Sequence, residues 1–445
     1  MWERFRTWAS NWLGVQVPDP SGTPAEHAKR YVTGEADPVT RVIADRLASL
    51  TFADSTLSVT GRDGATLTAR GALLRDTLTR FWRGEARAVT AQAFGKGGMV
   101  LFPVVTNRGV RIAAVDQSRL LVLRACGGVV EHAVLLADQC ARGREKLWLA
   151  VSFELTGGGQ VLRYAAFNDG GRRVALADVA AWASLPEELT LANADEPMFA
   201  WLHCPRDSRV DRPLYGVPVT YGAEALIREL NEHARIYRRE YRLTRPMLGL
   251  DSTLWRDALR PGEPMDIRRV RRTVQDSDDP FIPLDAPALD GHGVWQYYAP
   301  AIRHEAMEAR WQSLSRRIEQ ACGLSQGILT QRQAVSYANK DEVRAALYDT
   351  FTVVRAMRDR LEEALGVVCR AADRLMERYA LTEPGGRADV ALRFDWDVSL
   401  IESSSQTFDQ MLKLHGIGAM RTEELRAWQT GETAEEAKEA LAGGA

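Results

Sequence analysis

The sequence lacks the features that mark secreted disulfide scaffolds, zinc proteins and membrane proteins. Its five cysteines are scattered along 445 residues, and no two of them form a Cys-x-x-Cys pair. An odd, dispersed set predicts buried thiols in a reducing compartment and argues against a disulfide framework or a zinc site. No run of about 18 apolar residues occurs, so the sequence predicts no membrane-spanning helix.

The sequence also lacks an excess of either charge. Its 57 lysines and arginines are balanced by 59 aspartates and glutamates, which gives a formal net charge of −2. A protein that grips nucleic acid over a wide surface carries a basic excess, because every neutralised phosphate adds affinity. If this chain meets DNA, we expect the contact to be limited. Its length is sufficient for two or three domains with a sizeable core.

No motif of a zinc protease or a nucleotide-driven motor is complete. The seven histidines of the sequence form no His-Glu-x-x-His. The Gly-Lys-Gly-Gly run around Lys96 resembles part of a phosphate-binding loop. That loop needs glycine where this chain has Thr90, and serine or threonine where it has Gly97. The run is therefore predicted to be a glycine-rich turn that leads into a strand.

Two aspartates near the C-terminus are the strongest candidates for a metal site. Asp395 and Asp397 alternate along a predicted strand, so their carboxylates would share one face and could share an ion. The alternative is an exposed strand face with Phe394, Trp396 and Val398 turned inward. Glu402 is a third acidic residue nearby, but we favour the exposed face.

The first half of the chain is predicted to be β-rich behind a few helices. The spacing of Trp2, Phe5, Trp8 and Trp12 predicts an amphipathic helix, which we expect to dock on the same protein rather than on a membrane surface. Further helices are predicted at 37–50 and 73–83. From Ala93 onward, short β-branched runs separated by glycine turns predict antiparallel hairpins, since the connections are too short for helical crossovers.

The second half of the chain carries the long helices. One is predicted from about residue 300 to 322, and another from 340 to about 379 would be about 60 Å long. An earlier helix at 221–245 is predicted to pack through residues at three- and four-residue spacing, namely Leu226, Ile227, Leu230, Ala234, Tyr237 and Tyr241. Its opposite side forms either a solvated face or a phosphate-facing surface and carries Arg235, Arg238, Arg239, Arg242 and Arg245. Residues 246–297 are predicted to form a small module.

The order of three segments resembles the portal proteins of tailed bacteriophages, in the branch found in long-tailed phages of Gram-positive hosts. The segments are PMFAWLHCPRDSRVDRPLYGVPVTYGAEALIRELNEHARIYRREYRL, CGLSQGILTQRQAVSYANKDEVRAALYDTFTVVRAMRDRLEEAL and FDWDVSLIESSSQTFDQMLKLHGIGAMRTEELRAW. Asn339 to Val343 stand where the family has Ala-Thr-Glu-Val. The order and spacing of the segments carry the resemblance, which covers most of residues 90–435.

The resemblance implies an α+β portal fold with named parts. A wing of mixed antiparallel β structure and a long helix would comprise the N-terminal region 1–221 and residues 339–396. A helical stem would comprise 222–245 and 298–322, and it would flank a small α/β clip at 246–297. A tunnel loop would occupy 323–338, and a short helical crown would occupy 397–445.

The resemblance also implies a function without catalysis or a cofactor. Portal subunits form a ring, usually of twelve, at one capsid vertex of the virion after assembly in the host cytoplasm. Double-stranded DNA passes through the ring independently of sequence during packaging and ejection. The implied protein partners are further copies of the chain, the terminase large subunit, the head–tail adaptor, and the major capsid and scaffolding proteins. No membrane contact is implied.

Two sets of residues would touch these partners. The tunnel loop would line the channel through Gln326, Thr330, Gln331, Arg332, Gln333 and Ser336. The clip would make exchangeable contacts through Arg268, Arg269, Arg271, Arg272, Asp276, Asp278 and Asp279. Two alternatives remain open: another virion head-morphogenesis or adaptor protein, and a metal-dependent DNA-processing enzyme that uses Asp395 and Asp397.

Overall fold

A computed structural model of the chain gives the fold. It describes residues 2–15, 38–62, 65–106, 109–192, 194, 196–207, 214–243, 247–251, 281–284, 295–298, 301, 303–330, 340–382, 388–396 and a few isolated positions between 412 and 438. The chain is of the α+β class, as predicted. Among the described residues, no helix combines the length and the apolar character needed to cross a bilayer.

The helices and strands follow one another in a mixed order. The helices are α1 (Trp2–Leu13), α2 (Pro38–Thr51), α3 (Ala69–Gly84), α4 (Ala86–Lys96), α5 (Glu224–Leu243), α6 (His304–Ala321) and α7 (Lys340–Arg378). The strands are β1 (Thr56–Gly61), β2 (Gly98–Thr106), β3 (Gly109–Asp116), β4 (Leu120–Cys126), β5 (Val129–Arg142), β6 (Glu145–Thr156), β7 (Gly159–Asn168), β8 (Arg173–Val174), β9 (Glu188–Ala192), β10 (Ala200–His203), β11 (Met247–Asp251), β12 (Phe281–Leu284), β13 (Trp295–Tyr298) and β14 (Val390–Asp395).

The chain divides into two compact units. The main unit comprises Met1–Ala223 and Glu319–Ala445, and the insert unit comprises Glu224–Ile318. The insert unit contains α5, most of α6 and a three-stranded sheet in the order β12-β11-β13. Strand β11 pairs in parallel with β12 and antiparallel with β13. In chain order, the small mixed sheet of the insert unit therefore lies between α5 and α6.

A six-stranded antiparallel sheet forms the centre of the main unit, in the order β4-β5-β6-β7-β8, with β9 also paired to β7. Successive side chains of each strand point to opposite faces of the sheet, and each face packs against an apolar core. On β6, Leu147 and Leu149 belong to the larger apolar core, whereas Trp148 and Ala150 belong to a second, smaller core. The antiparallel hairpins expected from the sequence are confirmed here.

The second core is closed by the N-terminal helix. Phe5 and Trp8 of α1 are buried against this face of the sheet, and the Trp8 ring stacks on Phe167 with centroids 5.7 Å apart. The prediction that α1 docks on its own protein is confirmed. Burial of large aromatic side chains supplies a hydrophobic contribution of roughly 1.5–3 kcal/mol each.

One helix was missed by the sequence analysis. The β-rich region was expected to begin at Ala93, but α4 occupies 86–96 and the first strand of the region, β2, begins at Gly98. Nearly every side of α4 is buried, including Thr90 and Lys96. An all-round buried helix has no polar face and therefore no 3.6-residue pattern to detect.

The long helix α7 is the spine of the main unit. Its 39 residues span about 58 Å at ~1.5 Å per residue. It packs on β2 and β10 of a three-stranded sheet and on α2 and α3. Its buried side chains recur every three or four residues, as in Val354, Met357, Leu361 and Leu365. The long helix expected from the sequence is confirmed, and its length serves to connect several layers.

Candidate nucleic-acid interface

A buried carboxylate organises the turn that follows α6. Glu319, in the last turn of that helix, is 0% exposed. Its Oε1 accepts hydrogen bonds from the backbone N–H groups of Gly327, Ile328, Leu329 and Thr330, at 2.6 to 3.1 Å. Successive N–H groups that converge in this way form an anion-binding concavity. Here the concavity is filled by the chain's own carboxylate, which fixes the shape of residues 327–330.

Thr330 closes the same turn from its other end. Its hydroxyl donates to Glu319 Oε2 at 3.1 Å and accepts the N–H of Gly327 at 2.9 Å. Ser325 joins the turn to α7, because its N–H donates to the Thr350 hydroxyl at 2.9 Å and its own hydroxyl accepts the Thr350 N–H at 3.3 Å. Arg46 of α2 donates to the carbonyl groups of Gly327 and Ile328. The segment 324–330 is therefore tied to three helices.

These contacts place two of the residues that were predicted to line a channel. Thr330 is buried at 8% exposure and serves the turn itself, whereas Gln326 is exposed. The other four, Gln331, Arg332, Gln333 and Ser336, lie outside the described residues, as do all seven clip residues, Arg268, Arg269, Arg271, Arg272, Asp276, Asp278 and Asp279. Sequence reasoning missed Glu319, although its position four residues before a Gly-Leu-Ser turn is a signal for a side chain that reaches into that turn.

In the insert unit, α5 and α6 run antiparallel and are joined by paired side chains. Arg303 forks onto the Glu240 carboxylate with distances of 2.9 and 3.0 Å, and this pairing lowers the pKa of Glu240. At the middle of the pair, His233 Nε2 donates to the carbonyl oxygen of Met307 at 2.8 Å. Arg310 pairs with Glu229 towards the other end.

The packed face of α5 differs from the sequence prediction at two positions. Ile227 and Leu230 are buried as expected, but Tyr241 is 47% exposed. His233 is buried at 8% exposure and was not in the predicted set. The apolar pattern could not identify His233, because a histidine counts as polar unless its partner, here a backbone carbonyl, is known.

The side of α5 turned away from α6 is basic. Arg235, Arg238, Arg239 and Arg242 are exposed, and Arg228 is exposed one heptad before Arg235. Arg245, also predicted on this side, lies outside the described residues. We call Arg228, Arg235, Arg238, Arg239 and Arg242 the arginine face. Its side chains are presented by a regular helix whose other side is occupied.

Two buried arginines hold the main unit around α7. Arg358 donates from Nε to the carbonyl of Thr51 at 3.2 Å and from Nη2 to that of Leu50 at 3.3 Å. These carbonyls lie at the end of α2, where no helical N–H is left to bond them. The Arg358 guanidinium also lies over the Trp396 ring, 4.9 Å from its centroid. Near the C-terminal end of α7, Asp373 pairs with Arg70 of α3 at 2.9 Å.

The run around Lys96 is a structural joint. Gly97 has φ +93°, ends α4 and precedes β2, so the run leads into a strand as predicted, but Gly95 and Lys96 belong to the helix and not to a turn. Lys96 is buried, its Nζ lies 3.7 Å from Asp116, and burial lowers the pKa of the ammonium group. Gln117 Nε2 bridges the carbonyls of Lys96 and Gly216 at 2.9 and 2.7 Å. Lys96 and the backbone next to it thus make contacts within the protein, with Asp116 and Gln117.

The Gly97 joint yields a prediction about stability. A Cβ at Gly97 would lie 2.4 Å from the Gly216 carbonyl oxygen, in addition to the positive φ. We expect Gly97→Ala to lower the free energy of unfolding by at least about 2 kcal/mol, since the backbone conformation alone costs an L-residue about 1–2 kcal/mol. Chemical denaturation followed by circular dichroism measures it. Gly128→Ala is the control, because Gly128 has φ +86° with nothing within 4 Å of a Cβ; equal losses would contradict the packing argument.

The aspartate pair near the C-terminus is accounted for in part. Asp395 is exposed on β14, whereas Phe394 and Trp396 stack with ring centroids 5.9 Å apart and pack on Trp82. The inward orientation of these two aromatics is confirmed. Asp397 and Val398 lie outside the described residues. Within the described part of the chain, no three histidine, cysteine or acidic side chains are grouped so as to hold a metal ion.

Comparisons with known proteins find similarity only at the level of solved structures. No protein-family model and no curated protein matches the sequence. The chain is similar to one from the virion of a native gene transfer agent particle, with 14% identity and a TM-score of 0.46, over 96% of this chain and 99% of that chain. It is also similar to one from the neck of an empty gene transfer agent particle computed with C6 symmetry, with 14% identity and a TM-score of 0.45, over 96% of this chain and 98% of that chain. Function is therefore inferred from the residues and contacts of this chain.

Proposed function

We propose that this chain is a structural component of a phage-like virion head or neck, and specifically the subunit of a portal ring that conducts double-stranded DNA. The observation that carries the proposal is the order of parts. In chain order, two antiparallel helices with a small sheet between them come first. They are followed by a turn whose backbone N–H groups bind Glu319, and then by a 39-residue helix. This order agrees with the stem, clip, tunnel loop and wing that the sequence resemblance implies.

The locked turn supports a role at a channel. A loop that meets moving DNA needs a fixed base, so that contact with DNA does not pull it out of place. Residues 324–330 have such a base, because Glu319, Thr350 and Arg46 bind their backbone groups. The loop itself, as proposed from the sequence, occupies 323–338, and its channel-lining residues run from Gln326 to Ser336. The mainly uncharged side chains there would touch DNA weakly, which favours sliding.

The remaining parts of the proposal follow from the ring. Twelve copies is the number the resemblance implies, and the ring would sit at one capsid vertex. The clip would meet the terminase large subunit and later the head–tail adaptor, and the wing would meet the capsid and scaffolding proteins. No catalytic step is assigned to the chain. The energy for DNA movement would come from the partner motor.

Light scattering of the purified protein tests the ring. We expect one main species with a mass many times the 49.5 kDa of the single chain, because a portal subunit is stable in solution as a closed ring with heterologous contacts. The measurement is made over a range of protein and salt concentrations. A monomer throughout that range, including after mixing with the cognate capsid protein, would contradict the proposal.

A further inference from the structure

The arginine face of α5 forms a narrow, straight stripe. Arg228, Arg235 and Arg242 are seven residues apart, so they lie almost on one line along the helix. Arg238 and Arg239 flank that line, and all five fall within about 100° of arc at 3.6 residues per turn. From the first to the last arginine the stripe is about 21 Å long, at ~1.5 Å per residue. All five side chains are exposed.

Two of the four carboxylates of α5 are directed away from these arginines. Glu229 and Glu240 lie on the opposite side of α5, where they pair with Arg310 and Arg303. Within the described residues, no carboxylate lies within 4.0 Å of an arginine of the stripe. The carboxylates of Glu229 and Glu240 thus stabilise the helix pair, and the five guanidinium groups face solvent.

The residues between the arginines favour nucleic acid over protein as the ligand of this face. The arc of the stripe also contains Glu224 and Asn231, with Glu232 just beyond its edge, and it contains no apolar or aromatic residue. The centres of protein–protein interfaces are depleted in charge and carry apolar or aromatic anchors. Protein–DNA interfaces are polar and strongly positive. Guanidinium groups also match phosphate oxygens in a two-pronged geometry.

We propose that the arginine face of α5 binds the sugar–phosphate backbone of duplex DNA without reading its sequence. The choice of duplex DNA rests on the proposed function, whereas the phosphate chemistry rests on the stripe itself. A stripe of about 21 Å can contact only a few phosphates, in keeping with the near-neutral charge of the whole chain. Such contacts slow the movement of DNA rather than promote it. The arginine face therefore retains DNA, whereas the proposed tunnel loop allows DNA to slide.

The experiment measures the salt dependence of DNA binding by the full-length protein. Fluorescence anisotropy with a labelled, blunt duplex of mixed sequence gives the affinity at several salt concentrations. Each lost phosphate contact reduces the slope of log K against log salt by about 0.9. We expect the quadruple variant Arg235→Gln, Arg238→Gln, Arg239→Gln and Arg242→Gln to reduce that slope by at least about 3 and to weaken binding more than tenfold at low salt.

The matched control removes the same number of positive charges elsewhere. It replaces four exposed arginines of other helices with glutamine, namely Arg80, Arg83, Arg316 and Arg317. Glutamine keeps a helix propensity close to that of arginine, and circular dichroism checks that both variants stay folded. We expect the control to keep the wild-type slope within about one unit and to bind duplexes of two unrelated sequences equally well.

Three outcomes would overturn the proposal. The wild type could fail to bind duplex DNA, or the control could lose as much as the quadruple variant, which would reduce the effect to net charge. Binding to polyglutamate, with none to DNA, would assign the face to an acidic protein surface instead. Light scattering on the same samples tests ring formation independently of DNA binding. A protein that forms a ring but shows no arginine-dependent DNA binding would contradict only this inference and not the proposed function.

Discussion

Replacing Arg70 with methionine is expected to lower the free energy of unfolding of the main unit by about 3–5 kcal/mol, because the change leaves an unpaired charge in the interior. The Arg70 and Asp373 side chains are 5% and 8% exposed, and Nε lies 2.9 Å from Oδ1. Burial raises the pKa of Asp373 even though Arg70 opposes the shift. The loss is measured by chemical denaturation followed by tryptophan fluorescence.

A matched pair and a double variant test the cause of that loss. Arg62 pairs with Asp389 at 3.5 Å, but their side chains are 70% and 75% exposed. Exposed pairs contribute about 0–1 kcal/mol, so Arg62→Met should cost less than about 1 kcal/mol. Arg70→Met combined with Asp373→Leu should recover much of the single-variant loss, since both charges leave the interior together. A double variant less stable than Arg70→Met would contradict this explanation.

Replacing Glu319 with alanine is expected to have an effect of similar size. It removes the acceptor of four backbone N–H groups and of the Thr330 hydroxyl. Each buried donor left without a partner costs about 1–3 kcal/mol, less whatever water recovers. We expect a loss of at least about 3 kcal/mol, together with faster hydrogen exchange at the amides of residues 327–330.

Two further variants separate the role of the carboxylate from that of the helix. Glu319→Gln keeps one carbonyl oxygen but introduces a competing donor. Its free energy of unfolding should therefore lie between those of Glu319→Ala and the wild type. Glu305→Ala changes an exposed glutamate at the other end of α6 and should cost less than about 1 kcal/mol. If amide exchange at 327–330 were unchanged in Glu319→Ala, the turn would be held by something other than the carboxylate.

Hydrophobic periodicity was sufficient for the amphipathic elements. It predicted α1, α5 and α7, because each presents one apolar face to a core. The antiparallel hairpins were predicted instead from the glycine turns between short β-branched runs. Periodicity failed for α4, which is buried on nearly every side. The failure is physical, since a helix without a polar face leaves no period to read.

The buried polar residues could not be predicted from the sequence. Arg70, Glu319 and Arg358 belong to types that are mostly exposed, and each stands on a helix where a charge usually faces solvent. Their burial depends on partners from other parts of the chain: Asp373 for Arg70, the end of α2 for Arg358, and the turn at 327–330 for Glu319. The exposure of the arginine face, by contrast, could be predicted, because the spacing of its arginines placed them opposite the apolar side of α5.

The central claim is that copies of this chain close into a ring around a channel. Negative-stain electron microscopy of the purified protein tests this claim most directly. The particle images are classified, and the class averages viewed down the symmetry axis are inspected. We expect rings with a central hole wide enough for duplex DNA and a fixed number of subunits, twelve by the resemblance. Single compact particles, or open filaments without a closed ring, would contradict the account.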